Sequence, residues 1–298
     1  MQARTTAALV AASLGWGMAG VGTRYLFGEG LTTFTVITVR VVAATVAVLV
    51  VARAQGARVG RSAWRDGTIV GVLRVGAQPM LFIASLQYVS AGVEGIFITL
   101  IPAATAALAA AVLHERLDRD QIAGFVIGLL GTTLIVASGE SGIGGGEGDV
   151  RIGAALALAG VVVGAASAVL NRMFAPRHRT TDLAIPMFVS GMAVSVVAGL
   201  LVWDIVLAGI SALSWFVVVA LGVGATFVPF FATLYAAKHT TAARVSLTGY
   251  LAPIVGVVAG VVLLDEVLTV PIVIGAILAV VGVVLVGRGR RIRPLTPT

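Results

Sequence analysis

The sequence predicts an all-α membrane protein: ten transmembrane helices arranged as two inverted five-helix repeats. Three observations predict it. Of the 298 residues, 59% are hydrophobic and only 11% are charged, against about 25% charged in a soluble domain. Ten continuous apolar runs approach the ~20 residues that a bilayer-crossing helix needs. The two halves also match one another when the chain is slid by 151 positions. This composition, with a mean hydropathy of +1.07, excludes an ordinary soluble enzyme and a disordered chain. It also outweighs the hint of nucleic-acid binding in the pI of ≈ 10.9. Cysteine is absent, so there is no disulfide framework, thiolate metal site or cysteine nucleophile.

The apolar runs fall at 5–24, 31–53, 67–88, 92–112, 120–138, 151–172, 182–203, 212–236, 242–262 and 270–287. They are rich in Ala, Val, Leu and Gly and lack the alternation of a barrel strand. The first run follows Arg4 but leads to no cleavage site and no soluble domain, so it reads as a retained helix. Orientation follows from the basic residues. With the N-terminus in the cytoplasm, fifteen of the twenty lie inside: Arg4, Arg53, Arg58, Arg61, Arg65, Arg116, Arg119, Arg172, Arg177, Arg179, Lys238, Arg288, Arg290, Arg291 and Arg293. Only Arg24 and Arg151 fall outside, while Arg40, Arg74 and Arg244 fall within runs. This asymmetry obeys the positive-inside rule. It predicts a multi-pass protein of the bacterial inner membrane with both termini cytoplasmic.

The Gly-rich stretch 138–150, SGESGIGGGEGDV, divides the chain into a first repeat at 1–137 and a second at 151–298 that ends in a basic tail. It has no Gly-Lys-Ser/Thr ending and reads as an external linker. Under the 151-residue shift Pro102 falls on Pro253, Glu115 on Glu266, Gly124 on Gly275 and Gly131 on Gly282. Five helices per copy is an odd number, so the second copy inserts upside down. Inverted repeats are the architecture of many secondary transporters.

These features resemble a known family. Two five-helix copies, a Pro-containing fourth helix, a Leu-x-Glu-x-Leu turn and a Gly-x6-Gly fifth helix look like the drug/metabolite transporter superfamily. Within it, the chain is similar to the EamA-type ten-helix exporters, and Leu-Gly-Trp-Gly at 14–17 and Arg40 fit that pattern. The resemblance implies ten helices around a central cavity and export of small metabolites. Amino acids, aromatic or otherwise neutral, are the expected substrates, as in exporters of the YddG type.

Arg40 lies near a midplane, where an arginine is costly unless paired or hydrated. It reads either as a cavity residue meeting a substrate carboxylate or as a structural arginine on helix carbonyls. Arg74 reads as snorkelling to the cytoplasmic interface. Glu94, at the start of the fourth run, reads as a helix cap, with gating as the lesser option; Arg244 is its near-equivalent on the opposite face. Glu115 and Glu266 read as turn caps. Pro102 and Pro253 interrupt helices and can either hinge a gate or shape the cavity. Small-residue pairs such as Gly124/Gly128, Gly160/Gly164 and Gly256/Gly260 read as helix packing. Trp16, Gln78, Phe82, Phe97, Phe227, Phe231, Ser246 and Tyr250 are the aromatic and polar residues at run midpoints. With Arg40 they form the expected substrate site.

No Walker motif is present, and His114-Glu115 opens an HExxH pattern that Asp118 breaks. No cofactor or metal is therefore expected. All thirteen acidic residues read as loop or run-end positions, so the expected mode is uniport or exchange by alternating access rather than proton antiport. The competing readings are a proton-coupled multidrug exporter and an intramembrane enzyme acting on a lipid or peptide. The second lacks any polar catalytic cluster within the runs. The expected partners are a small amino-acid-like molecule and the lipid bilayer, not nucleic acid, with a monomer as the expected form.

Overall fold

In the computed structural model the described residues are 2–113, 118–139, 149–239 and 248–288. They are helical, and no β-strand occurs among them. Helix α1 spans Gln2–Gly28 and α2 spans Thr33–Ala54. Helix α3 runs from Arg61–Gly71 through a π-helical turn, Val72–Ala77, into Gln78–Ser85. Helix α4 has two parts, Ala91–Ile98 and Ile101–Leu113. Then follow α5 at Arg119–Ser138, α6 at Val150–Phe174 and α7 at Thr180–Val202. Helix α8 runs from Ala212–Gly222 through a second π turn, Val223–Phe227, into Val228–His239. Helices α9, Thr248–Leu264, and α10, Val270–Arg288, complete the set.

Each of the ten apolar runs becomes a helix. Among the described residues, eight are long and apolar enough to cross a membrane; the apolar parts of the last two, Leu251–Leu264 and Val270–Val286, are shorter. The chief boundary difference is at α3, which begins at Arg61 and not near residue 67. A hydropathy reading stops at Arg65 and Asp66. The helix continues because these charges satisfy one another: Arg65 Nε donates to Asp66 Oδ1 at 3.0 Å, and His178 Nε2 lies 2.9 Å from Asp66 Oδ2.

The repeat is visible in three dimensions. The π turns begin at Val72 and Val223, in the register of the 151-residue shift. Helix α1 packs on α9 and α8, while its counterpart α6 packs on α4 and α3. Helices α2 and α7 pair with each other, as do α5 and α10. In the last pair a Cβ on Gly131 would meet Gly275 O at 2.7 Å, and one on Gly124 would meet Gly282 O. Exchanging the two halves turns the first contact into the second. Only glycines allow the two backbones this close. Lipid tails are as apolar as Leu, so helices here associate through such close packing rather than through the hydrophobic effect.

Two cores result. One joins α2, α3, α7 and α8 around Ile37, Val41, Met187 and Phe188. The other joins α4, α5, α6 and α10 around Ile96, Phe97, Ile135 and Ile272. Large apolar side chains such as Leu201, Phe216, Val262 and Val270 face outward, as a lipid-exposed perimeter requires.

Candidate functional site

Between the two halves lies a cavity of about 310 Å³, lined from α1, α2, α3, α4, α7, α8 and α9. Helices α5, α6 and α10 supply none of its lining. Its wall is mostly apolar, with Trp16, Phe82, Phe188 and Phe230 as its aromatic members. Phe188 and Phe230 meet edge to face, their ring centres 5.2 Å apart.

Among the described residues, three charged side chains line this cavity: Arg40, Arg74 and Glu94. Arg40 Nε donates to Thr226 Oγ1 at 2.8 Å, and Nη2 donates to Ala225 O at 3.3 Å. Both acceptors belong to the π turn of α8, where the wider helical turn leaves carbonyls open to outside donors. Arg40 both lines the cavity and bonds a helix carbonyl.

Arg74 sits in the other π turn, that of α3. It lines the cavity rather than snorkelling to an interface, which corrects the sequence reading. Arg74, Gln78 and Phe82 recur at four-residue spacing and share the cavity-facing side of α3. That spacing was the available signal for Arg74. Neither Arg74 nor Gln78 has a hydrogen-bonding partner among the described residues. The Gln78 amide rests on Gly164 of α6, where a Cβ would come within 2.7 Å of Nε2.

Glu94 is buried, 6% exposed, in the first turn of α4. The sequence reading made it the helix cap, but that position is already filled. Ala91 N donates to Glu266 Oε1 at 2.8 Å and Gly92 N to Glu266 Oε2 at 3.1 Å. Val93 N donates to Ser90 Oγ at 3.2 Å and Glu94 N to Ser90 O at 3.0 Å. The N–H groups of the first three helical residues are thus taken, and that of Glu94 makes the first regular helical bond. Glu266 is a cap, as read, but for a neighbouring helix rather than its own turn. Close by, Arg24 Nη1 donates to Leu86 O at 2.8 Å. Residues 89–97 there are buried at every position.

Of the other expected site residues, Pro102 and Pro253 line the cavity. Pro102 does not kink a continuous helix; it opens the second part of α4 after the break at residues 99–100. Pro253 lies inside α9. Phe97 is fully buried in the second core, beside a separate crevice of about 240 Å³ between α4, α5 and α6. Phe227 and Phe231 stand behind the wall: Phe231 packs 5.4 Å from Phe230, the ring that reaches the cavity. Arg244, Ser246 and Glu115 lie outside the described residues, as does the side chain of Tyr250. The His114-Glu115 motif lies there too.

Comparisons with known proteins agree with this architecture. The sequence profile of the EamA-like transporter family matches residues 5–137 and, separately, 151–288. An uncharacterized transporter of Archaeoglobus fulgidus is 25% identical over 242 residues, covering 77% of this chain and 81% of its own length. A protein of known crystal structure shares the fold with a TM-score of 0.66 at 22% identity, over 94% of this chain and 95% of its own.

Proposed function

The chain belongs to the EamA-like transporter family of membrane transporters, and on that premise we propose that it exports small amino-acid-like metabolites across the bacterial inner membrane. The observation that carries this reading is Arg74, a guanidinium in a mostly apolar cavity wall with no hydrogen-bonding partner among the described residues. An unpaired cation inside a membrane is costly, and cations so placed mark substrate or ion pathways. A substrate carboxylate supplies the missing partner, and a bidentate arginine–carboxylate pair is among the stronger hydrogen-bonded contacts. Gln78, one turn along, offers both an acceptor and donors. The aromatic wall of Trp16, Phe82, Phe188 and Phe230 suits an apolar side chain. This combination favours neutral or aromatic amino acids over sugars.

Transport proceeds by alternating access. Exchange of the two similar halves opens the cavity to one side of the membrane while closing it to the other. The expectation of uniport or exchange rested on every acidic residue lying in a loop or at a run end; Glu94, at a run end, nonetheless lines the cavity. The mode is retained on the ground that the carried molecule, not a proton, engages Glu94.

Counterflow of radiolabelled amino acids into liposomes containing the purified protein tests the reading. Uptake of a neutral amino acid, lost in Arg74→Gln, is the expected result. Transport of sugars or nucleotides in place of amino acids overturns it.

A further inference from the structure

Glu94 presents an unfilled requirement. Its carboxylate is 94% buried by its 6% exposure, lines the cavity and accepts no hydrogen bond from the described residues. The amides of its own helix start are held by Glu266 and Ser90. It rests against Gly20 of α1, where a Cβ would come within 3.2 Å of Oε2. Glycine there leaves the carboxylate its room. The charges within its electrostatic reach are Arg40 and Glu266. Arg40 commits two N–H groups to α8, and Glu266 is a like charge. A buried carboxylate in this setting either takes up a proton or meets a cation from outside the protein.

We propose that Glu94 is the ammonium-binding residue of the cavity, taking the protonated primary amine of the carried molecule. The charge division then has a plain logic. Arg40 ties α2 to α8, Arg74 meets an anionic group, and Glu94 meets a cationic one. A simple acid engages Arg74 and a simple amine engages Glu94. The identity of the ligand rests on the carrier reading above, but binding is measurable without transport.

The test is thermal unfolding of the full-length protein in detergent, titrated with n-butylamine, butyrate and norvaline. Wild type and Glu94→Asp are expected to bind n-butylamine and norvaline. Glu94→Gln is expected to bind both about tenfold more weakly or worse, as loss of a charge-assisted hydrogen bond implies, while keeping its response to butyrate. Arg74→Gln is expected to show the reverse, losing butyrate and keeping n-butylamine. Wild-type amine affinity in Glu94→Gln overturns the proposal, as does failure of wild type to bind n-butylamine. An equal loss for butyrate overturns it too, because it marks general damage. So does a Glu94→Gln protein that keeps its amine affinity but loses a pH-gradient dependence of transport, which assigns the carboxylate to a proton. Amine binding without counterflow upholds Glu94 and overturns the carrier reading instead.

Discussion

Arg40 on α2 donates to Thr226 Oγ1 on α8 across 2.8 Å. The bond joins a helix of the first repeat to the π turn of the second. At the equivalent interface, between α7 and α3, position 191 is glycine, and a Cβ there would lie 2.5 Å from Val75 Cβ. One half is therefore tied by an ionised hydrogen bond and the other by close backbone packing. The two pseudo-equivalent interfaces are therefore chemically unequal.

Removing the Arg40 tie is expected to destabilise the protein and slow transport together. Arg40→Met leaves Thr226 and Ala225 O without their donor, and interhelical polar contacts in membranes contribute about 0.6–1.7 kcal/mol. Thr226→Val is expected to show a smaller loss in the same direction, because the contact to Ala225 O survives. Unfolding midpoints in detergent and initial counterflow rates check both.

Glu266→Ala is expected to loosen the start of α4. It removes the acceptor of two buried amides, at a cost of about 1–3 kcal/mol for each group left unsatisfied. The sequence contains no cysteine, so a single introduced thiol reports directly. Leu86→Cys is expected to react with a membrane-impermeant maleimide several-fold faster in the Glu266→Ala background.

Phe97 and Phe230 separate core from site. Phe97→Ala is expected to cost about 3–5 kcal/mol of stability with the KM of the folded fraction unchanged. Phe230→Ala is expected to raise KM with a smaller stability loss, since Phe230 is only partly buried. Folded yield and counterflow kinetics distinguish the pair.

At the α5–α10 contact, Gly131→Leu is expected to abolish the folded protein, because a side chain there meets Gly275 O at 2.7 Å from its first atom. Overpacking of this kind typically costs about 1–3 kcal/mol, and occasionally more. Size-exclusion profiles check it.

The repeat was legible because its markers, Gly124, Gly131, Gly275 and Gly282, are backbone contacts that tolerate no substitution of size. Trp16, Gln78 and Phe82 were legible as polar or aromatic groups at the middle of apolar runs. Arg74 was misread because distance from a helix end says how deep a residue lies, not which way its side chain faces. The π turn that carries it leaves no trace in hydropathy. Glu94 was misread because a carboxylate in a first turn is ordinarily a cap. Its displacement by Glu266 depends on a contact between residues 175 positions apart. Phe97 and Phe82 look alike in sequence, and only packing divides them.

The central claim is that Arg74 anchors the anionic group of a carried amino acid, and counterflow in liposomes with Arg74→Gln and Arg74→Lys tests it most directly. The account predicts uptake of a neutral amino acid by wild type, a loss of about tenfold to a hundredfold in kcat/KM for Arg74→Gln, and partial recovery in Arg74→Lys. Wild-type uptake by Arg74→Gln would contradict it.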